Sequence, residues 1–235
     1  MSPSWRATLS VSPDALRAQL TRLVQRGWRG ATFTDAVLRP PWPRTLAVTF
    51  DDAFLSVSTR ARPVLDELGL PGTVFVPTGF VGERRYLEWP GIDHWSSTPD
   101  SAELECMNWN DLAGLAEAGW EIGSHTCTHP RLTQLDDGML KAELETSRRE
   151  CSERLGRSCD SLAYPFGDVD QRVTAAARQA GYLCAGGLSS SLVRLGPHRW
   201  PRIGIYHDDA SWRFQLKMSA VMRVVRATRF WPAHE

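Results

Sequence analysis

Apolar and polar positions follow two alternating patterns along the chain. In residues 13–26, leucine recurs at Leu16, Leu20 and Leu23 on one helical face, and Ser12 is a suitable N-cap. Short apolar runs without this period predict buried strands. Further helices predicted in this way lie at 55–68, 109–118, about 137–155 and about 170–180. The predicted strands lie at 45–50, 73–77, 120–124, 161–165, 182–187 and 202–206. Strands separated by helices predict a parallel α/β architecture, wound either as a barrel or as an open sheet.

The segment at 78–108 interrupts this alternation. It has no clear hydrophobic period, and Trp89 and Trp95 lie among glycine, proline and serine residues. A connection of this length is usually either functional or disordered.

Length and composition predict one globular domain over residues 1–235. The apolar content is 42%, and 235 residues suit a single (β/α)-type barrel. The 27 basic residues balance the 27 acidic ones, so the chain has no overall field that would attract nucleic acid. We therefore expect no nucleic-acid partner.

Cysteine usage and the N-terminal residues bear on the compartment. The five cysteines are odd in number and lack paired spacing, which suits a reducing compartment. The N-terminus has no basic stretch followed by an apolar run, so no signal peptide is predicted. No window approaches 18 consecutive apolar residues. These features predict a cytoplasmic protein, although a late start or a trimmed chain would also lack a leader.

Polar residues follow three of the predicted strands directly. They are the pair Asp51 and Asp52, the histidines His125 and His129, and the turn at 165–168. Catalytic groups in parallel α/β folds gather at the carboxyl ends of the strands. We therefore expect these segments to converge on one site.

The two histidines and the two aspartates have both functional and structural interpretations. Imidazoles four residues apart can face one metal ion, and two histidines with one carboxylate form a common metal shell, but such a pair also occurs on surface turns. Adjacent aspartates often form only a solvated loop or a helix N-cap. In the functional interpretation, one carboxylate binds the metal and the other accepts a proton from water, and the cation offsets their repulsion.

Three segments, in this order and at these strand ends, resemble the polysaccharide deacetylase family, the NodB-like carbohydrate esterases. The segments are Thr49-Phe50-Asp51-Asp52, then Ser124-His125-Thr126-Cys127-Thr128-His129-Pro130, then Tyr164-Pro165-Phe166-Gly167. The resemblance covers roughly residues 9–218, and the first two segments are specific in combination.

The resemblance implies an irregular (β/α) barrel of about seven parallel strands. It also implies that Asp52, His125 and His129 hold a divalent metal, usually zinc, with cobalt, nickel, manganese or iron as other choices. Asp51 would be the general base, and the backbone N–H near Phe166 would help to stabilise the oxyanion.

The chain departs from the family pattern in three places. The family arginine that tethers the base is replaced by Ala163, and we expect Arg202 to supply that cation, unless it is an ordinary surface arginine. The family acid is a late histidine, for which His207 is the candidate here, with Asp208 or Asp209 to orient its ring. Many relatives also carry an extra strand before the segment that matches Leu9 onward.

Tryptophans near the segment at 78–108 suggest a substrate surface. The rings of Trp89, Trp95 and Trp109 can pack on a sugar ring, or they can pack the segment onto the barrel. Cys127 lies between the two histidines and is not expected to ligate, because it would point away from their shared face.

A basic C-terminal helix is predicted at about 209–230. Its cations are interleaved with apolar residues and comprise Arg213, Lys217, Arg223, Arg226 and Arg229. Such a helix can lie on an anionic membrane or dock a partner in glycan assembly, or it can pack on the barrel with a solvated face. With membrane contact, the protein would be peripheral to the inner face of the membrane.

The resulting expectation is a metal-dependent hydrolase. It would remove N-acetyl groups from an N-acetylated sugar in a polysaccharide, an oligosaccharide or a lipid-linked glycan. The alternatives are the same fold and metal acting on a non-sugar amide or an O-acetyl ester, and a non-catalytic carbohydrate-binding protein.

Overall fold

A six-stranded parallel sheet forms the centre of the fold. The computed structural model describes residues 2, 5–82, 86–188, 191–228 and 231. The strands are Arg29–Gly30 (β1), Thr45–Leu46 (β2), Val48–Phe50 (β3), Gly72–Val76 (β4), Glu121–Ser124 (β5), Ser161–Ala163 (β6), Cys184–Leu188 (β7) and Trp200–Arg202 (β8). Strands β3 to β8 lie side by side in chain order, all parallel, and β1 pairs with β2 separately.

Helices connect the strands and pack around the sheet. They are Pro13–Gln25 (α1), Phe33–Leu38 (α2), Arg62–Glu67 (α3), Trp109–Glu117 (α4), Asp137–Leu155 (α5), Gln171–Gln179 (α6), Ser211–Met218 (α7) and Ala220–Arg226 (α8). Among the described residues, no helix is long and apolar enough to cross a membrane. The (β/α) barrel expected from the resemblance is confirmed as the fold class, with a curled main sheet of six strands.

The barrel is open between its two edge strands. Within the described parts of the chain, β3 pairs only with β4 and β8 pairs only with β7. A cavity of about 1580 Å³ lies at this gap, and mostly apolar side chains from α1, β3, β8 and α7 line it. It reaches Asp51 and Asp52 at the end of β3.

Local sequence signals explain most of the helix boundaries. Ser12 caps α1 by accepting a hydrogen bond from the Ala15 amide, as the sequence predicts. Asp136 caps α5 in the same way, and Gly156 ends that helix in the left-handed region, where a side chain would be strained.

Several boundaries differ from the expectation. The last strand is β8 at 200–202 rather than 202–206, because the register with β7 aligns Trp200 with Gly186 and Arg202 with Leu188. Helix α2 was not predicted, although Thr32 caps it by accepting a hydrogen bond from the Asp35 amide. The single helix expected at about 209–230 is two helices, since Ser219 has extended backbone angles and caps α8. Arg229 lies outside the described residues.

Within the segment at 78–108, the described residues form short turns of 3₁₀-helix. These lie at Thr78–Phe80, Asp93–Ser97 and Ser101–Leu104. Leu87 and Leu104 are fully buried and joined by a backbone hydrogen bond, so this segment packs onto the barrel.

Candidate metal centre and its surroundings

Three strand ends bring an aspartate and two histidines together. Asp52 follows β3, while His125 and His129 follow β5. One potential ligand atom from each lies within 4.8 Å of the others. The Nε2 atoms of His125 and His129 are 3.3 and 3.4 Å from Asp52 Oδ1. The structure thus brings together the three residues predicted as metal ligands.

The turns that form this site adopt unusual backbone angles. Among the described residues, the non-glycine residues with positive φ all lie at the site: Asp52, Ala53, Thr126, His129 and Phe166, with φ between 55° and 72°. Left-handed backbone costs a residue with a Cβ about 1–2 kcal/mol. Strain of this kind persists where surrounding contacts enforce it, and it clusters at functional sites.

Hydrogen bonds at both ends of the residue fix His125. Its backbone N–H donates to the Val76 carbonyl at 2.8 Å, and its Nδ1 lies 2.8 Å from the Ala163 carbonyl. In the neutral imidazole, the ring nitrogen that faces the carbonyl oxygen carries the proton, so Nε2 is the unprotonated nitrogen, and it is turned towards Asp52. Ala163 therefore contributes its backbone to the site, at the position where the family pattern predicts an arginine.

Aromatic rings surround His129. The indole of Trp89 stacks on its imidazole, with centroids 3.9 Å apart and planes inclined by 21°. The ring of Phe166 lies edge-on at 4.6 Å. The His129 Nδ1 is buried and has no hydrogen-bond partner among the described residues.

Glu143 of α5 organises the turn between the two histidines. Its carboxylate accepts hydrogen bonds from the backbone N–H groups of Cys127 and Thr128 and from the Thr128 hydroxyl, at 2.7, 3.0 and 2.6 Å. This role of Glu143 was not predicted, because no local sequence pattern joins a mid-helix glutamate to the preceding turn. The Cys127 thiol faces the Glu143 carbonyl at 3.6 Å, and the absence of a ligand role for it stays a prediction.

Asp51 is held by the arginine that was predicted to replace the family cation. Arg202 donates from Nη1 and Nη2 to the two carboxylate oxygens at 2.6 and 2.9 Å, and also from Nη1 to the Thr49 hydroxyl at 3.2 Å. The Arg202 side chain is 8% exposed and that of Asp51 is 23% exposed. A Cβ on Gly186 would lie 2.8 Å from Arg202 Cδ, so the glycine makes room for this side chain.

Charges within the site set the pKa values of its titratable groups. Burial raises the pKa of Asp51, but Arg202 and His125 outweigh it and hold the pKa below the ordinary value. Burial likewise opposes ionisation of Asp52, yet His125 and His129 hold its pKa well below the usual range. Burial lowers the pKa of His129, while for His125 the two carboxylates outweigh burial and raise the pKa. Both carboxylates are therefore charged at neutral pH.

The donor set fits a divalent transition metal. Asp52 Oδ1 is buried and has no hydrogen-bond partner among the described residues, although both imidazole Nε2 atoms lie near it. A buried anionic oxygen without such a partner is costly unless a cation is present. Two imidazole nitrogens and one carboxylate suit zinc, cobalt, nickel, iron or manganese. The residues present thus fit a metal site.

The third predicted segment lies beside the metal ligands. Phe166 is 39% exposed, and the Arg131 guanidinium lies 4.5 Å from the centre of its ring. Asp168 accepts hydrogen bonds from the Thr133 amide and hydroxyl, which joins this turn to the segment after His129. The role of the Phe166 backbone N–H stays a prediction.

His207 lies after β8, against the N-terminal segment. Its backbone N–H donates to the Thr8 carbonyl at 2.8 Å, and its Nδ1 is 3.1 Å from the Ser10 carbonyl. The Asp209 carboxylate instead accepts a hydrogen bond from the Tyr206 amide and forms an ion pair with Lys217. Among the described contacts of His207, none joins it to Asp51 or to the metal ligands, so its role as proton donor stays a prediction.

Comparison with known proteins adds sequence relatives. The chain is 38% identical over 152 residues to chitin deacetylase 1 of Cryptococcus neoformans. This alignment covers 65% of the chain and 27% of the relative. The chain is 22% identical over 178 residues to a poly-β-1,6-N-acetyl-D-glucosamine N-deacetylase of Staphylococcus aureus, which covers 71% and 56%. The chain therefore spans at most about half the length of these curated relatives.

A solved structure has the same fold. The deacetylase PplD of Streptococcus pyogenes, determined in complex with acetate, superposes with a TM-score of 0.75 over 93% of each chain, at 20% identity. The sequence model of the family described as polysaccharide deacetylase matches residues 39–185, which is more than half of the chain and includes the metal-site segments. The chain belongs to the polysaccharide deacetylase family.

Proposed function

We propose that the protein is a metal-dependent hydrolase that removes N-acetyl groups from an N-acetylated sugar. The observation that carries the proposal is a second carboxylate beside the Asp52, His125 and His129 group. Asp51 is clamped by Arg202 rather than turned into the ligand group. Binding a metal needs no such free base, whereas hydrolysis does.

The residues divide the chemistry among them. Asp52, His125 and His129 would hold a divalent ion, which would supply Lewis-acid polarisation of the acetamide carbonyl and acidify water. Asp51 accepts the proton of the attacking water, because Arg202 keeps its carboxylate charged and its oxygens in place. The backbone N–H near Phe166 offers a hydrogen bond to the developing oxyanion.

His207 is proposed to return a proton to the leaving amine. Its Nδ1 faces the Ser10 carbonyl, which leaves Nε2 to carry the transferred proton. In a pH–rate profile, His207→Ala is expected to lose the basic limb that the wild type shows. A basic limb that persists in His207→Ala would exclude this role.

The substrate class is supported by the relatives. Two of them are named as deacetylases of chitin and of poly-β-1,6-N-acetyl-D-glucosamine. Both names describe polymers of N-acetylglucosamine, so we propose an N-acetylated sugar in a polysaccharide, oligosaccharide or lipid-linked glycan as the substrate.

Acetate release tests the proposal. The purified protein is stripped with a chelator, reloaded with zinc or cobalt, and incubated with N-acetylglucosamine oligomers, beside Asp51→Asn and the surface control Asp66→Asn. Metal-restored release that Asp51→Asn abolishes and Asp66→Asn retains is the expected result. If the wild type binds metal but releases no acetate from these oligomers, the same assay with aryl acetates separates an O-acetyl esterase from a non-catalytic sugar-binding protein.

We also propose that helices α7 and α8 contact an anionic membrane surface, where a lipid-linked glycan or a glycan-assembly partner would be found. Trp212 and Leu216 on α7 and Val221 and Val224 on α8 are each at least half exposed. Residues 211–228 contain four basic residues and no acidic one. Exposed apolar side chains among cations suit an interfacial helix.

Vesicle flotation at low salt tests this contact. Binding to vesicles with anionic lipid, weakened by a Trp212→Ala and Leu216→Ala double change and absent from neutral vesicles, is expected. Trp42→Ala, at another exposed tryptophan, is the matched control. No flotation with anionic vesicles would exclude membrane contact.

A further inference from the structure

Trp89 covers one face of a proposed metal ligand. The centroid of its indole lies 3.9 Å from the centroid of the His129 ring, and the two ring planes are nearly parallel. Phe80 packs edge-on against the indole, with centroids 5.2 Å apart. Trp89 is only 7% exposed. Its carbonyl accepts hydrogen bonds from the Ile92 and Asp93 amides, which fixes the backbone beneath the ring.

The two histidines of the site are oriented by different means. His125 points Nδ1 at the Ala163 carbonyl, and metal-ligating histidines almost always hold their second nitrogen in this way. His129 has no such bond, because its Nδ1 is buried without a hydrogen-bond partner among the described residues. Apart from the Asp52 carboxylate near Nε2, nothing polar among the described residues fixes rotation of the His129 ring about its Cβ–Cγ bond. The flat indole does so by contact.

We infer that Trp89 is a positioning residue for metal binding: its indole face holds the His129 imidazole in the orientation that directs Nε2 toward Asp52. The stack takes the place of the hydrogen bond that orients His125. Phe166 blocks rotation from a second direction, with its ring edge-on to His129 at 4.6 Å. This inference rests on the metal site of the proposed function.

A sugar-binding face was one of the two roles left open for Trp89, and it is separable from the positioning role. A buried indole whose face is already stacked on a histidine has little surface left for a substrate ring. A sugar platform would change KM without changing metal affinity. A positioning residue changes metal affinity in the absence of any substrate.

Metal affinity of variants tests the inference. Zinc dissociation constants are measured by competition with a chromogenic chelator for the wild type, Trp89→Phe and Trp89→Leu. The visible spectrum of the cobalt-loaded proteins reports on ligand geometry. Loss of a group that orients a metal ligand weakens binding about 10- to 100-fold. We expect that loss in Trp89→Leu, with an altered cobalt spectrum, and less than about 3-fold change in Trp89→Phe, which keeps a flat ring.

Trp95→Leu is the matched control, since Trp95 lies in the same segment but packs on Trp5. It should leave the zinc constant and the cobalt spectrum unchanged. If Trp89→Leu does not fold, as judged by circular dichroism, Trp89→Met takes its place. Wild-type zinc affinity in the folded non-aromatic variant overturns the inference while leaving the proposed function intact. Absence of metal binding by the wild type overturns both.

Discussion

Removal of the Arg202 guanidinium should both destabilise the protein and impair Asp51. Two unit charges 4 Å apart interact by about 4 kcal/mol at an effective dielectric of 20, and breaking a buried pair costs about 3–5 kcal/mol. Arg202 is 8% exposed and Asp51 is 23% exposed, so water screens part of the loss. We expect Arg202→Met to lower the free energy of unfolding by about 3 kcal/mol, or the melting temperature by about 6–12 °C for a chain of this size.

The pH dependence of this loss has a definite sign. The pKa of Asp51 in the folded protein lies below its ordinary value of 3.8, mainly because Arg202 outweighs burial. The stabilisation is therefore complete above about pH 4 and is lost as the pH falls through the folded pKa. In Arg202→Met, no guanidinium offsets the effect of burial, so the pKa of Asp51 rises. Protonation of Asp51 then removes the cost of an unpaired buried charge in the variant. The stability difference from the wild type should shrink on acidification.

Urea unfolding of the metal-free proteins at pH 7 and at lower pH measures both effects. A double-mutant cycle with Asp51→Asn isolates the pair, and its coupling energy should be about 2–3 kcal/mol. Arg17→Met, which removes a surface ion pair with Glu67, is the control and should cost less than about 1 kcal/mol. Acetate release by Arg202→Met should fall about 100-fold, since a displaced base acts poorly. An unchanged melting temperature together with unchanged turnover would refute the reasoning.

Three further predictions concern the surroundings of the site. Gly186→Ala should displace Arg202 and lower the free energy of unfolding by about 1–3 kcal/mol. Gly187→Ala is the control, because its Cβ would meet only Val169 at 3.9 Å and would not displace Arg202. Equal thermal stability and turnover of the two variants would contradict this prediction. Zinc at 100 times its dissociation constant should stabilise the wild type by about 2.7 kcal/mol and should stabilise His125→Ala far less, as measured by thermal shift. Equal shifts in melting temperature for the two proteins would mean that zinc binds elsewhere. Glu143→Ala should weaken zinc binding and lower the melting temperature, because two turn amides lose their acceptor, and unaltered zinc affinity would argue against it.

The fold class was predictable from the sequence, and so were the three residues that the structure brings together as a candidate metal site. Asp51 and Asp52 directly follow a buried run, and His125 and His129 directly follow another, so their strand-end positions are encoded within a few residues. Parallel strands then place those ends at one edge of the sheet whatever the connections are. The departure from the family pattern at Ala163 also suggested Arg202 as the replacement cation, with an ordinary surface arginine as the alternative.

The contacts that hold these residues in place come from segments far apart in the sequence. The contact of Arg202 with Asp51 depends on the register between β7 and β8 and on the space left by Gly186. Trp89 and Glu143 reach the histidine turn from separate segments, at distances along the chain that follow no period. Local sequence specifies where a strand ends, because the backbone conformation and the burial pattern of a strand depend on residues adjacent in the sequence. Ring stacking and ion pairing join residues that are far apart in the sequence. Which side chains meet therefore depends on how distant segments pack together in the fold.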